Sequence, residues 1–288
     1  MAQASSGARS TALGQKGERS ALGLSRAPFM ISSALAVVAA AAAACTAFLP
    51  DVLRGPQVMN GSARGTALVV LCAAIPILLL AMFEVGRGSV RATVVWLGAI
   101  AYLLYNAVLF LFETPFNSLF LLYTSMFALA VWSAATLVTR MGVDHFGGHL
   151  PARAIAGFLG AVAVLNAVAW LSAIVPALLS TKSPAFLAGT GLTTNAVYVQ
   201  DLAFWIPVTL VAAVSLWRHK AWGYVLAGAM LVYLVLESIS IAVDQWFGHA
   251  ADPSSTLASA TLVPAFAVVA VIGLIPAFFY FRGIERRQ

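Results

Sequence analysis

Charge is what this chain has least of. Asp, Glu, Lys and Arg make up 9% of its 288 residues, against about 25% in a soluble domain. Lysine occurs only at 16, 182 and 220, always outside the long apolar runs, so no buried amine is on hand for a retinal Schiff base. Histidine occurs four times, as His145, His149, His219 and His249, again only between the runs. That argues against a haem ligated inside a bilayer and against the in-membrane histidine sites of metallo-hydrolases. Cys-x-x-Cys, His-Glu-x-x-His and the phosphate-binding Gly-x-x-x-x-Gly-Lys-Ser/Thr are all missing. The segment Asp144–His149 has metal-capable side chains but reads as a polar turn between two helices. No cofactor and no metal is expected. Of the two cysteines, Cys45 and Cys72 fall one to two turns below the same surface on consecutive antiparallel helices. A disulfide is geometrically open to them in an oxidising exterior, while two inert thiols are the simpler expectation.

What is abundant is apolar length. The chain is 61% hydrophobic with a mean hydropathy of +0.94. A spanning helix needs roughly 20 mostly apolar residues. Eight runs meet that need: Phe29–Leu49, Ala67–Phe83, Thr93–Phe112, Asn117–Val138, Ala154–Leu179, Leu202–Trp217, Trp222–Val243 and Leu262–Phe281. Helices are required because lipid offers no partner to backbone N–H and C=O groups. The expected fold is therefore all-α, a polytopic bundle of eight transmembrane helices.

The remaining charge orients the bundle. Thirteen of the sixteen Lys and Arg fall in the tail before the first run, in alternate connections thereafter, and after the last run. Only Arg54, Arg64 and Lys182 fall in the other connections. This asymmetry places both termini in the cytoplasm of a cell-membrane protein. The net charge of +6 then reflects topology and a lipid-bilayer partner, not nucleic acid. Residues 1–28, rich in Ser, Gly, Ala and Arg, read as a disordered cytoplasmic tail. Residues 29–282 form the transmembrane domain and 283–288 a short cytoplasmic tail. The run Ala42–Cys45 only faintly resembles a lipoprotein cleavage site, and the expected Leu is missing.

A polar stripe occurs twice. Tyr102, Asn106, Leu109 and Glu113 share one face of the third helix at i, i+4, i+7 and i+11. Tyr233, Glu237, Ser240 and Asp244 repeat the spacing on the seventh, 131 residues later. The same offset maps Ile75–Pro76 onto Ile206–Pro207 and Arg87 onto Arg218. Two parallel four-helix halves, 29–140 and 154–282, would account for it.

Depth picks out the candidate site. Glu113 and Asp244 stand at the outer ends of their runs, and Asn106 and Glu237 about 10 Å deeper. Asp201, after Gln200, opens the sixth run, and Asn117 opens the fourth. Glu237 has no basic residue at its depth, so it should face a cavity or a Tyr, Asn or Ser neighbour. Tyr102, Asn106, Glu113, Tyr233, Glu237 and Asp244 are expected to line one outward-open polar cavity. Glu237 then serves either a proton or cation site or a hydrogen bond that knits helices. Six tryptophans, Trp96, Trp132, Trp205, Trp217, Trp222 and Trp246, read as an interfacial belt. Gly-x-x-x-Gly pairs are not prominent, although Ala and Gly are abundant enough for close packing.

The segments Tyr105–Asn106, Phe116–Tyr123, Val197–Pro207 and Trp222–Ala227 resemble a group of uncharacterised bacterial multi-pass integral membrane proteins. The resemblance covers the third to seventh runs and implies no activity. It draws attention to Asn106, Asn117 and Asp201. Three function classes stay open: a small-molecule or ion transporter or binding protein, an intramembrane enzyme acting on a lipid or lipid-linked substrate, and a scaffold. The enzyme would pair Glu237 with Asp201 or Asp244 as general acid and base.

Overall fold

Eight helices long and apolar enough to cross a membrane make up nearly all of the computed structural model, which describes residues 25–286. They are α1 (Arg26–Phe48), α2 (Gln57–Gly86), α3 (Val90–Phe112), α4 (Phe120–Arg140), α5 (Ala152–Leu178), α6 (Ala196–Trp217), α7 (Ala221–Ala251) and α8 (Leu262–Gly283). The chain is thus an all-α, multi-pass membrane protein. Of the tail expected over 1–28, residues 1–24 lie outside the described part, and Arg26 already begins α1.

Helices α3 and α7 are the most buried and form the centre. The first half of α2 packs along α7, α1 and α3 pack against α4, and α5 packs against α6. Helices α5 and α8 are buried least. Their exposed Leu165, Leu178, Val271, Ile275 and Phe278 present an all-round apolar surface suited to lipid.

Two helices overrun their apolar runs. Helix α2 starts at Gln57 rather than Ala67, and α7 ends at Ala251 rather than Val243. The added turns lie against each other. A Cβ on Gly61 would stand 2.4 Å from the Phe247 carbonyl oxygen, and one on Gly65 would stand 2.8 Å from the Asp244 Cα. Backbone contact across a Gly-x-x-x-Gly pair sustains helix where hydropathy had ended. Arg64 and His249, expected in loops, are therefore helical, and Asp244 lies two turns inside the end of α7.

Two interruptions of helix share a common form. In α2, residues Val70–Ala74 widen to a π turn just before Ile75–Pro76. In α6, Asp201–Trp205 do the same just before Ile206–Pro207. Proline lacks an N–H and its ring crowds the carbonyl one turn back, and a π turn is one way to make room. The 131-residue offset carries one π turn onto the other. It also carries the end of α2 onto that of α6, and the start of α3 onto that of α7. Gly88 (φ 94°) and His219 (φ 53°) occupy the same left-handed position in the two following turns.

The arginine-bearing end is closed by a small antiparallel pair, β1 (Phe146–Gly148) with β2 (Ile284–Arg286). The Asp144–His149 segment thus leads into a strand, and the residues expected to be a C-terminal tail from 283 are structured through 286. Arg91 donates from Nε to the Ile284 carbonyl at 3.3 Å and fastens this clasp to α3. Cys45 and Cys72 are both free. Trp132, Trp217, Trp222 and Trp246 are exposed as a belt requires, but Trp96 and Trp205 are buried. Each has a polar partner for its indole N–H: Ser32 Oγ at 3.0 Å and Gln200 Oε1 at 3.1 Å. That partner is what makes burying a tryptophan tolerable.

Candidate functional site

The two striped helices meet at the centre of the bundle. A Cβ on Gly98 of α3 would stand 2.7 Å from the Ala229 carbonyl oxygen of α7. With the backbones this close, the stripes face each other. Asn106 Nδ2 donates to the Tyr102 carbonyl at 3.0 Å and to Glu237 Oε2 at 3.4 Å. Tyr102 Oη donates to Ser240 Oγ at 3.0 Å. Asn106 and Glu237 are themselves 131 positions apart, so the offset pairs residues that touch. Asn106 Oδ1 is buried with no hydrogen-bond partner among the described residues. Tyr233 stacks on Trp205 with centroids 4.7 Å apart, and Tyr105 closes the cluster at 5.6 Å from Tyr233.

Above this layer, at the end opposite the β1–β2 clasp, is a cavity of about 500 Å³. Phe110 of α3, and Glu113 and Thr114 just beyond its end, line it with Ser62, Ala63 and Thr66 of α2 and Asp244 and Gln245 of α7. Trp170 of α5, Tyr198 of α6 and Phe186 of the α5–α6 connection complete the wall. Glu113 and Asp244 are one 131-residue offset apart, as are Thr66 and Val197, which also lines the cavity. The expected single cavity is therefore divided. Glu113 and Asp244 line it, whereas Tyr102, Asn106, Tyr233 and Glu237 form a packed layer beneath and are not in its wall. The reason is the aromatic volume of Tyr102, Tyr105, Tyr233 and Trp205, which fills the space between the central helices.

Each carboxylate is held by one oxygen. Glu113 Oε1 accepts from Ala196 N at 2.7 Å and Val197 N at 3.3 Å, capping the start of α6. Asp244 Oδ1 accepts from Gln245 Nε2 at 3.1 Å, and Gln245 Oε1 is itself fixed by Ser259 N at 2.9 Å. No hydrogen bond reaches the second oxygen of either group among the described residues. Burial pushes the Glu113 carboxyl above its ordinary range, and the two backbone N–H groups pull the other way without cancelling it. The only ion pair among the described residues joins Glu84 to Arg87 at the far end.

Two expected site residues have other work. Asn117 accepts from Leu119 N at 2.9 Å and donates to the Pro115 carbonyl at 3.0 Å. It shapes the turn into α4 as Asn commonly does and does not line the cavity. Asp201 does not open its helix but sits in the π turn, buried. Its Oδ2 accepts from Trp170 Nε1 at 2.8 Å and Asn166 Nδ2 at 3.3 Å. It reaches the cavity only through Trp170, whose ring lies 4.6 Å from that of Tyr198. Asn166 and Trp170 were missed. Their signal was an amide and an indole N–H at i, i+4 in the largely apolar fifth helix. Phe186, Tyr198 and Gln245 carried no signal, because loop and helix-end residues converge only in three dimensions.

Compared with protein-family models, with curated proteins and with solved structures, the chain matches none.

Proposed function

We propose that this membrane protein binds a small molecule in the cavity at its acidic end and moves it across the cell membrane. In this reading the acidic end faces the exterior, because the arginine-rich connections belong on the cytoplasmic side. The observation that carries the proposal is the cavity itself. Its volume of about 500 Å³ falls within the usual range for small-molecule sites. Helices from both halves wall it, and two carboxylates, each with one oxygen that accepts no hydrogen bond among the described residues, line it. Interrupted helices beside a polar site are the usual construction of secondary transporters, and α2 and α6 are both interrupted. Against an intramembrane enzyme stands the way the acids are held. Glu237, Asp201 and Asp244 have different hydrogen-bond partners, and among the described residues no hydrogen bond joins any two of them as an acid–base pair.

The test uses the purified full chain and a panel of neutral, anionic and cationic small molecules, read by ligand-induced thermal stabilisation. Compounds that stabilise are then followed for uptake into vesicles. An Ala63→Trp variant, which fills the cavity from α2, should abolish both responses. A panel in which no class stabilises the protein, or one equally effective on the filled variant, would overturn the reading.

A further inference from the structure

We infer that the cavity is built for an organic ammonium ion, its charged nitrogen set against Asp244 and Glu113 and its apolar body against Trp170, Tyr198 and Phe186. The inference rests on the cavity being a ligand site and adds the chemical class of the ligand.

Charge makes the first cut. Two carboxylates face the cavity and no Lys or Arg does. Arg64 lies between the lining residues Ala63 and Thr66 in sequence, but it is not in the wall and pairs with neither acid. An anionic ligand would meet two like charges and no cationic side chain in the wall. A cation would supply what both lack, because each carboxylate has committed only one oxygen to the protein. Those commitments also fix the carboxylates in place. Glu113 is locked to the start of α6, and Asp244 is steered by Gln245, which Ser259 holds in turn.

Ligand number makes the second cut. A divalent metal ion takes about six or more oxygens, and no three Asp, Glu, His or Cys residues converge among the described residues. A bare ion would also leave most of the 500 Å³ unused. The walls make the third cut. Trp170 and Tyr198 lie 4.6 Å apart and Phe186 and Tyr198 5.0 Å apart, a continuous aromatic panel on the α5–α6 side. Ring faces attract ammonium groups and cover apolar bodies equally well. Ser62, Thr66, Thr114, Thr190 and Thr256 add hydroxyls around the rest.

Three aromatic probes of matched size separate the possibilities: phenylethylamine, phenylethanol and phenylacetate, with phenyltrimethylammonium and putrescine as further cations. Binding is read by thermal stabilisation and by isothermal titration on the full chain in nanodiscs. One or more of the cations should bind, and the neutral and anionic probes should not. Asp244→Asn keeps an acceptor for Gln245 but removes the charge, and should weaken cation binding roughly 10- to 100-fold. Glu113→Gln, which preserves the α6 cap, provides the same test where Asp244→Asn is poorly folded. Tyr198→Leu should weaken aromatic cations more than putrescine. Binding by phenylethanol or phenylacetate alone would overturn the ammonium assignment and leave the cavity reading standing. Cation binding insensitive to both charge removals would also overturn it. No stabilisation by any probe or by the wider panel would remove both.

Discussion

Removing the Glu113 carboxylate should loosen the start of α6 and little else. Its Oε1 accepts from the N–H groups of Ala196 and Val197 at 2.7 and 3.3 Å. Both N–H groups fall in the first turn, where no intrahelical acceptor exists. Asn195 already serves the Tyr198 N–H at 2.9 Å, so it cannot take over both. A hydrogen bond to a charged group contributes about 1.5–3 kcal/mol. The shorter bond alone therefore corresponds to a roughly 10- to 150-fold change in local opening. The assay is hydrogen exchange by mass spectrometry in nanodiscs, on peptides covering 195–200. Glu113→Ala should raise exchange there by that factor. Glu113→Gln, which keeps an acceptor, should raise it by less than tenfold. Because burial lifts the Glu113 carboxyl above its ordinary range, the folded state favours the protonated form. Wild-type stability should then decline relative to Glu113→Gln as pH rises from the ordinary value through the folded one. Unchanged exchange in Glu113→Ala, or exchange raised uniformly along the bundle, would refute the capping role.

Gly65→Val sets a Cβ 2.8 Å from the Asp244 Cα, where backbone cannot retreat, and should cost about 1–3 kcal/mol. Denaturant titration in detergent measures it, and a variant as stable as wild type would contradict the α2–α7 contact. Glu237→Gln keeps an acceptor for Asn106 and should stay within about 0.5 kcal/mol of wild type. Glu237→Leu should lose about 1–2 kcal/mol. If the Gln variant also retains full uptake, Glu237 carries no proton in the mechanism. In a chain with Cys45 and Cys72 replaced, single cysteines at the exposed positions Ser183 and Ser254 should react with an impermeant reagent from outside cells. One at Lys220 should not. Labelling of Lys220→Cys alone would invert the proposed orientation.

The sequence by itself determined the class, the number of spans and the alternation of charge. Each depends on composition over about 20 residues, and lipid enforces it locally. It also determined that Asn106 and Glu237, one offset apart, hold the same depth and the same place in their stripes, because helical spacing is a one-dimensional property. Helix ends were a different matter. Hydropathy stopped at Ala67 and Val243, while α2 and α7 continue because Gly61 and Gly65 let two backbones touch, a fact about two helices at once. The same holds for Asp201, whose fate depended on Asn166 and Trp170 arriving from α5. Only tertiary structure could separate the packed layer of Tyr102, Tyr105, Tyr233 and Trp205 from the cavity above it. Which polar residues meet water or ligand, and which meet each other, is decided by the volume that neighbouring helices leave between them.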